Sequence, residues 1–284
     1  MSETAVPPPM LDHVVVNVRG ALDEAFAAYE RLGFQLTVRG HHTLGSANHL
    51  AIFDTAYLEL LGYEPGKGGG RADLWEHPAG LTGLAFKDDD GRYADLVARG
   101  LPVTPPAEFS RPVLLADGPH DARFRVVRLS PGEVQNGRTF FCHHYTPDLV
   151  WRPEWQRHPN TAVSVRDFVI ATRDPARIAS LYEHMFGPGA LRSEGGNLSF
   201  AAGATTIHIL TPDAAEARLG TPVELGPDGT DRMVALVLRV SDIAATGRVL
   251  TGNGVTVEAL PGNGLVVPAS EAAGAVLGFV PLEG

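Results

Sequence analysis

The sequence predicts an α+β protein in which four βαβββ modules pair into two domains with cupped, barrel-like mixed sheets. One unit, a strand followed by an amphipathic helix, a glycine and three short strands, recurs four times along the chain. The length of 284 residues suits two domains, each able to bury a core. A single unit leaves sheet edges exposed, whereas two units side by side cover those edges and enclose a cavity.

The first module shows the unit most clearly. Residues Leu11–Val18 alternate around valine as a strand does. Residues Leu22–Leu32 place apolar side chains on one helical face, and Gly33 stands where a helix usually ends. Three strands are predicted to follow, near Phe34–Arg39, Asn48–Phe53 and Tyr57–Leu61.

The modules are expected to pair as neighbours in the chain. A stretch rich in proline and tryptophan, Thr146–Ala162, follows the second module, so we place a linker at residues 149–162. The first domain then spans 11–148, with modules at 11–80 and 81–148. The second spans 163–284, with modules at 163–228 and 229–284. Residues 1–10 are expected to be a disordered tail.

Composition narrows the function classes. A net charge of −10 and a pI near 5.5 argue against a nucleic-acid partner. No run approaches the roughly 18 apolar residues of a membrane span, and the start "MSETAVPPPM" lacks the features of a secretory signal. Cys142 is the only cysteine, so no internal disulfide can form. We expect a cytoplasmic protein with a small-molecule substrate, monomeric or homodimeric.

The four βαβββ units, together with the motif "LDHVVV…YERLGF…YLELLGY" of the first, resemble the vicinal oxygen chelate superfamily, and the first half is most similar to its glyoxalase-like domain group. That superfamily includes glyoxalase I, extradiol dioxygenases, fosfomycin-resistance proteins and bleomycin-binding proteins. The resemblance runs from about Leu11 to Leu282. It implies a divalent metal ion (Zn, Fe, Ni, Mn or Co) inside a cupped sheet, held by residues of the first and fourth strands of each module.

Carried over position by position, the resemblance implies three metal ligands in the first half. His13 takes the first-strand position, and Glu59 takes the fourth-strand position. In the second module Gly83 cannot ligate, and His143 takes the fourth-strand position with His144 beside it. The second half offers Phe168, Ala235, His208 and Gly278, so its site is expected to be degenerate.

Strand alternation agrees with this grouping if His13, Glu59 and His143 all face the concave side. Two histidines and a carboxylate suit non-haem iron or catalytic zinc. A buried carboxylate without a compensating charge is costly, which a cation would explain. The alternatives remain a hydrogen-bonded core histidine at 13 and a solvent-facing carboxylate at 59. His143 and His144 point to opposite faces, so only one of them can be the ligand, and the other could orient it.

Other residues are candidates for substrate contact. The hairpin "RGHHTLGSANHL" brings His42 and Asn48 to the predicted cavity mouth, unless it is merely an exposed turn. Asn17 shares the face of His13, and Trp75 is a candidate for the pocket wall. The glycines of "GYEPGKGGGR" would form either a flap over the site or a linker between modules.

The resemblance leaves three functions open. The leading hypothesis is a metal-dependent lyase or isomerase acting on a small oxygenated molecule, with Glu59, His144 or Tyr145 as the base. The second is an Fe(II) extradiol-type dioxygenase, although Gly83 replaces an expected histidine ligand. The third is a protein that binds a small molecule or antibiotic without catalysis.

Overall fold

The structure, a computed structural model, describes residues 7–63, 73–89 and 91–282. The proposed glycine-rich flap, residues 66–70, lies outside them. The strands of the first half are β1 (Leu11–Arg19), β2 (Gly40–His41), β3 (Ala47–Ile52), β4 (Tyr57–Gly62), β5 (Gly80–Lys87), β6 (Ala107–Leu115), β7 (Gly118–Arg128) and β8 (Arg138–His144). Its helices are α1 (Leu22–Arg31), α2 (Asp73–Glu76) and α3 (Arg92–Ala98).

The second half follows the same plan. Its strands are β9 (Ala162–Ala171), β10 (Arg192–Glu194), β11 (Asn197–Ala202), β12 (Thr205–Leu210), β13 (Arg232–Val240), β14 (Glu258–Leu260), β15 (Gly264–Val267) and β16 (Val276–Pro281). Its helices are α4 (Pro175–Phe186), α5 (Pro212–Leu219) and α6 (Ile243–Gly252).

The described strands form two eight-stranded mixed sheets of identical topology. The first has the order β2-β3-β4-β1-β5-β8-β7-β6, and the second has the order β10-β11-β12-β9-β13-β16-β15-β14. In each sheet the first strands of the two modules run antiparallel at the centre, and each pairs in parallel with the last strand of its own module. This is the predicted α+β architecture of paired βαβββ modules.

Each sheet has two buried faces with different partners. The concave face of the first sheet carries an apolar cluster that includes Tyr57, Phe124 and Phe140. The opposite face, with α1 and α4, belongs to a larger core that contains residues of both halves, such as Val14 and Phe168. Burial on both sides explains why β1 reads as an almost continuous apolar run.

One predicted strand is wrong in its position. Residues 34–39 form no strand, and β2 is a two-residue strand at Gly40–His41. Thr37 is tied to β3 through both of its backbone polar groups: its N–H donates to Leu50, and its carbonyl accepts from Nδ1 of His49. The apolar residues that suggested a strand serve the core instead, since Phe34 packs near the rings of Tyr29 and Phe53.

The segment between the two sheets packs closely against the first half. Two short 3-10 turns, Pro147–Leu149 and Pro153–Trp155, bring Trp151 over the rings of Tyr57 and His144. His158 lies buried, with Nε2 donating to the carbonyl of Ile52 at 2.9 Å. Over the part of the chain that the structure describes, no helix has the length and apolar character needed to span a bilayer.

Candidate active site

The concave face of the first sheet encloses a cavity of about 50 Å³. Strands β1, β3, β4, β6, β7 and β8 all contribute to its wall, together with the turn that follows β2. The polar side chains in that wall are His13, His42, Asn48, Tyr57, Glu59, Arg111, Arg128, Arg138 and Cys142. A concave site lined by both apolar and charged groups is the type of site in which small ligands bind.

Glu59 is the central charged group of the cavity wall. It lies in the middle of β4, and only 7% of its surface is exposed. The amide of Asn48 donates to Oε1 at 2.6 Å. Nε2 of His42 lies 3.7 Å from Oε1, and Nε2 of His13 lies 3.9 Å from Oε2. The predicted convergence of His13 and Glu59 in one cup is therefore present in the structure.

Both histidines are held through their other ring nitrogen. Nδ1 of His13 donates to Asp12 at 2.5 Å, and Nδ1 of His42 bonds the hydroxyl of Ser46 at 2.8 Å. The Asn48 amide nitrogen also lies 3.2 Å from Nε2 of His42. These contacts fix the imidazole orientations and leave both Nε2 atoms directed toward Glu59.

The surroundings of Glu59 favour its ionised form. Burial alone raises the pKa of this carboxyl group, because a charge is poorly solvated in the cavity. His42 and His13 lower the pKa through their charge, and the Asn48 hydrogen bond lowers it further. The net result is a pKa below the ordinary value for glutamate, so the buried group is a carboxylate at neutral pH.

A second polar group lies at the end of the same cup. Oδ1 of Asp12 accepts from Nε2 of His144 at 3.0 Å, and Sγ of Cys142 lies 3.7 Å from that nitrogen. One potential ligand atom from each of Asp12, Cys142 and His144 falls within 4.8 Å of the others, the one such group of His, Cys, Asp and Glu found among the described residues. Asp12 also bonds His13, so it connects this group to Glu59.

His143 does not face the cavity. Phe140 and Cys142 belong to the concave cluster, whereas Phe141 belongs to the shared core on the opposite face. His143 alternates with Cys142 and therefore points away from the cup, where Nδ1 lies 3.4 Å from the carbonyl of Asp88. The predicted choice of His143 over His144 for the concave face is wrong, because the register of β8 is shifted by one residue from the assumed one.

The remaining predicted residues divide between cavity and surface. His42 and Asn48 line the cavity and lie against Glu59, while their predicted contact with substrate stays a prediction. Tyr145 is on the surface and donates its hydroxyl to Glu108 at 2.8 Å, so it is not placed to serve as the base. Asn17 is buried but bonds the carbonyls of residues 77 and 78. Trp75 is half exposed and stacks near Tyr63. Neither lines the cavity.

Sequence reasoning missed Asp12 and Arg111. Strict alternation places Asp12 on the face opposite His13, but the pairing of β1 with β5 shifts register between Leu11 and His13. That irregularity lets two consecutive side chains approach the same site. The neighbouring letters "DH" at the start of the strand were the available signal. Arg111 comes from β6, a strand that the sequence pattern did not single out.

The equivalent cup of the second sheet has an internally paired set. By register, His208 on β12 opposes Val169 as Glu59 opposes Val15, which makes Asp167 the counterpart of His13. Asp167 accepts from Nε2 of His208 and from Arg218, each at 3.0 Å. The expected first-strand position at Phe168 is therefore wrong by one residue, since Phe168 lies in the shared core.

The family model described as "Glyoxalase-like domain" matches residues 11–186. A hypothetical protein from Staphylococcus aureus has a similar structure, with a TM-score of 0.66 and 13% identity over 96% of this chain and 100% of that chain. A triple mutant of 4-hydroxymandelate synthase from Streptomyces coelicolor also has a similar structure. Its TM-score is 0.56, and the sequence identity is 16% over 98% of this chain and 94% of that chain.

A further similar structure is a xylose isomerase-like TIM barrel/4-hydroxyphenylpyruvate dioxygenase fusion protein, with a TM-score of 0.55 and 13% identity over 97% of this chain and 49% of that one. Identities this low relate the folds alone. No curated protein matches the sequence. The family model covers well over half of the chain, and on that match the chain belongs to the glyoxalase-like domain family.

Proposed function

We propose that the chain is an enzyme that moves a proton on a small oxygenated molecule, as an isomerase or lyase, with Glu59 as the base. One observation carries the proposal: a buried carboxylate lies between the Nε2 atoms of His13 and His42, in a cavity large enough for a few atoms of ligand. A general base must be ionised and within reach of the proton it removes. The lowered pKa of Glu59 satisfies the first condition, and its place in the cavity wall supports the second.

The groups around Glu59 are of the types that bind a divalent metal ion, although their donor atoms lie farther apart than those of Asp12, Cys142 and His144. Two imidazole Nε2 atoms and a carboxylate form the donor set used for zinc and non-haem iron, and zinc, iron, nickel, manganese and cobalt all accept it. Asp12 and Ser46 hold the outer nitrogens of the two rings, as partners of metal-bound histidines commonly do. When bound by His13, Glu59 and His42, such an ion would polarise substrate oxygens.

The protein residues then have separate tasks in the proposed reaction. Glu59 takes a proton from the substrate and returns it to a neighbouring atom, so no oxidant or reductant is needed. Asn48 donates to the carboxylate and holds its orientation. Asp12 bonds Nδ1 of His13 and so holds that ring beside Oε2 of Glu59. The buried aromatic wall lowers the local dielectric constant around Glu59, which strengthens these interactions.

Exchange of substrate hydrogen for deuterium tests this proposal. We expect the metal-supplemented protein to exchange the C–H hydrogen of at least one member of a panel of small α-hydroxycarbonyl compounds in D₂O, followed by NMR. Glu59→Gln should slow that exchange by about 10²-fold or more, the usual contribution of a general base. His208→Gln, in the corresponding cup of the second half, is the matched control. Equal rates in the wild type and Glu59→Gln would contradict the assignment.

Metal content separates the two donor sets of the cup. We expect the wild type, purified without chelator or His-tag, to hold about one metal ion per chain and Glu59→Gln to hold far less. Cys142→Ser should retain the ion if Glu59 is the ligand. Loss of the ion in Cys142→Ser, with retention in Glu59→Gln, would instead assign it to Asp12, Cys142 and His144.

A dioxygenase is the second candidate. The observation in its favour is the same set of two histidines and one carboxylate, which is the facial arrangement of non-haem Fe(II) oxygenases. One of the similar structures is named as a 4-hydroxyphenylpyruvate dioxygenase fusion. Oxygen uptake with Fe(II) and a catechol, absent when Zn²⁺ replaces iron, would favour this function over proton transfer.

A further inference from the structure

Arg111 is a buried cation that the proposed proton transfer does not use. It lies on β6 and lines the same cavity as Glu59, with 3% of its surface exposed. Burial lowers the pKa of its guanidinium, whereas Tyr57 and Glu59 raise it, and an arginine stays protonated under all ordinary conditions. A full positive charge is therefore present inside a cavity of about 50 Å³.

Arg111 has no ion-pair partner within residues 7–63, 73–89 and 91–282. Its Nη2 atom is buried and makes no hydrogen bond there. Glu59, a carboxylate that lines the same cavity, is already engaged by Asn48, His42 and His13. A buried and incompletely paired charge costs free energy, which a ligand of opposite charge would recover.

Gly40 makes room for this guanidinium. A Cβ atom at position 40 would lie 2.4 Å from Cδ and 2.6 Å from Nη1 of Arg111, closer than any real Cβ contact. The same atom would lie 2.6 Å from Oδ1 of Asn48, the residue that holds Glu59. The absence of a side chain at Gly40 thus allows the arginine and the Glu59 network to lie side by side.

The wall near Arg111 is aromatic and suits a small, flat ligand. The rings of Phe109 and Phe124 stack at 5.0 Å with an interplanar angle of 21°, and His42 meets Phe109 edge-on at 5.3 Å. Two further arginines, Arg128 and Arg138, line both this cavity and an adjoining chamber of about 370 Å³. Arg111 is thus a buried cation beside an aromatic wall, at the inner end of a path that leads to the larger chamber.

We propose that the substrate is an anion, a small carboxylate with a second oxygen beside it, whose carboxylate group pairs with Arg111. The guanidinium presents parallel N–H groups that match a planar carboxylate, and the cavity has room for only a few heavy atoms. The oxygen-bearing carbon next to the carboxylate then lies toward Glu59. Any larger part of the molecule extends past Arg128 and Arg138 into the outer chamber. This inference rests on the proposed function for the reacting end of the ligand.

Binding of glycolate and its neutral amide, glycolamide, tests the anion subsite. We expect calorimetry on the wild type to show glycolate binding about 10- to 100-fold tighter than glycolamide, the range for one charge-assisted pair. Phosphate, as a tetrahedral anion, should bind more weakly than glycolate. Equal affinity for glycolate and glycolamide would overturn the proposal without any variant. Tighter binding of phosphate would replace the carboxylate with a phosphate-like ligand.

Variants locate the subsite and separate it from the catalytic proposal. Arg111→Gln should remove the preference for glycolate and Arg111→Lys should restore part of it, while Arg123→Gln, at an exposed arginine of β7, should leave it unchanged. If the Arg111 variants do not fold, Gly40→Ala is the second test and should weaken glycolate binding by displacing the guanidinium. Glu59→Gln should still bind glycolate but not catalyse exchange. Unchanged glycolate affinity in Arg111→Gln would overturn the subsite and leave the role of Glu59 standing.

Discussion

At the scale of single residues, Glu59 shows how a carboxylate is kept ionised inside an apolar cup. In the part of the chain that the structure describes, the groups within 4 Å of its oxygens are two imidazoles and one amide. Histidine charge and hydrogen bonding together outweigh the desolvation that burial imposes. The same arrangement leaves Glu59 able to accept a proton or to hold a cation. An ion pair between Glu59 and an arginine, which stays protonated, would oppose both.

Removal of Asn48 tests this balance. Asn48→Ala deletes a hydrogen bond that lowers the pKa of Glu59, so the pKa should rise toward or above its ordinary value. A base must be deprotonated to act, and the acidic limb of the pH–rate profile should therefore move to higher pH. The hydrogen-exchange rate measured from pH 4 to pH 9 checks this. Asn17→Ala, which removes a buried amide of β1 that does not line the cavity, should leave the limb in place.

His158 provides a pH test of stability far from the site. It is buried with Nε2 donating to Ile52 and Nδ1 accepting from the N–H of Gln35, so the neutral ring fits both bonds. Burial lowers its pKa in the folded protein from 6.5. As the pH falls below 6.5, the unfolded chain takes up a proton that the folded chain does not, and the folded state loses up to ~1.4 kcal/mol per pH unit.

Thermal unfolding between pH 8 and pH 5 measures that loss. The wild type should lose melting temperature below about pH 6.5, and His158→Gln, which cannot be protonated, should lose less over the same interval. His120→Gln is the control, because His120 is only partly buried. Parallel curves for the wild type and His158→Gln would show that His158 does not supply the proton linkage.

At the scale of elements, β8 decides which histidine enters the cup. The strand was predicted from sequence almost to its ends, since Thr139–His144 lies within Arg138–His144. The face on which each β8 side chain lies was not predicted, because a one-residue shift of register moves every side chain to the other face. The partners that fix the register, on β5 and β7, lie far away in sequence.

The adjacent histidines form a matched pair for mutation. His144→Ala removes a partner of Asp12, which orients His13, and should reduce metal affinity about 10-fold or more. His143→Ala should change metal affinity by less than about twofold, since His143 lies on the opposite face. Competition with a metal-binding dye gives both affinities. A larger effect of His143→Ala would contradict the facing of β8 in this structure.

The sequence predicted the elements of the first half better than their contacts. Valine alternation in β1 and the apolar helix α1 reflect local periodicity, and both were found at the expected positions. His13 and Glu59 were also paired correctly, because each lies at the expected position of its strand. Asp12 could not be assigned, because its role depends on a bulge between β1 and β5. Arg111 could not be assigned either, because its burial depends on how β6 folds over Gly40.

At the scale of the whole molecule, the two sheets share one core. Phe186 on α4 of the second half meets Phe86 of the first at 4.9 Å and Phe141 at 6.1 Å. The hydroxyls of Thr139 and Tyr182 bond across the same boundary at 3.1 Å. Neither half therefore buries its apolar faces alone, and we expect the described fold to unfold as one cooperative unit.

The distribution of tryptophan allows that expectation to be measured. All 3 tryptophans, at positions 75, 151 and 155, lie in or next to the first half, so their fluorescence reports on it. Far-UV circular dichroism reports on both halves. The two signals should change together on heating, and Phe186→Ala should shift both by the same amount, with a loss of about 3 kcal/mol or more. A shift in circular dichroism without one in fluorescence would show that the halves unfold independently.

The two halves of the chain share one fold, but the polar residues in their two cups differ. The second cup pairs Asp167 with His208 and Arg218, so its charges satisfy one another. The first cup instead leaves the Nε2 atoms of His13 and His42 directed at Glu59. The same eight-stranded topology thus supports an internally paired network in one half and a proposed reactive centre in the other.

Anomalous diffraction from crystals soaked in Mn²⁺ or Zn²⁺ tests the central claim most directly. A peak at the metal absorption edge should lie against the Glu59 carboxylate and the Nε2 atoms of His13 and His42, and it should disappear in Glu59→Gln. A peak between Asp12, Cys142 and His144, or a first cup that stays empty at saturating metal, would contradict the assignment of Glu59 as the centre of the site.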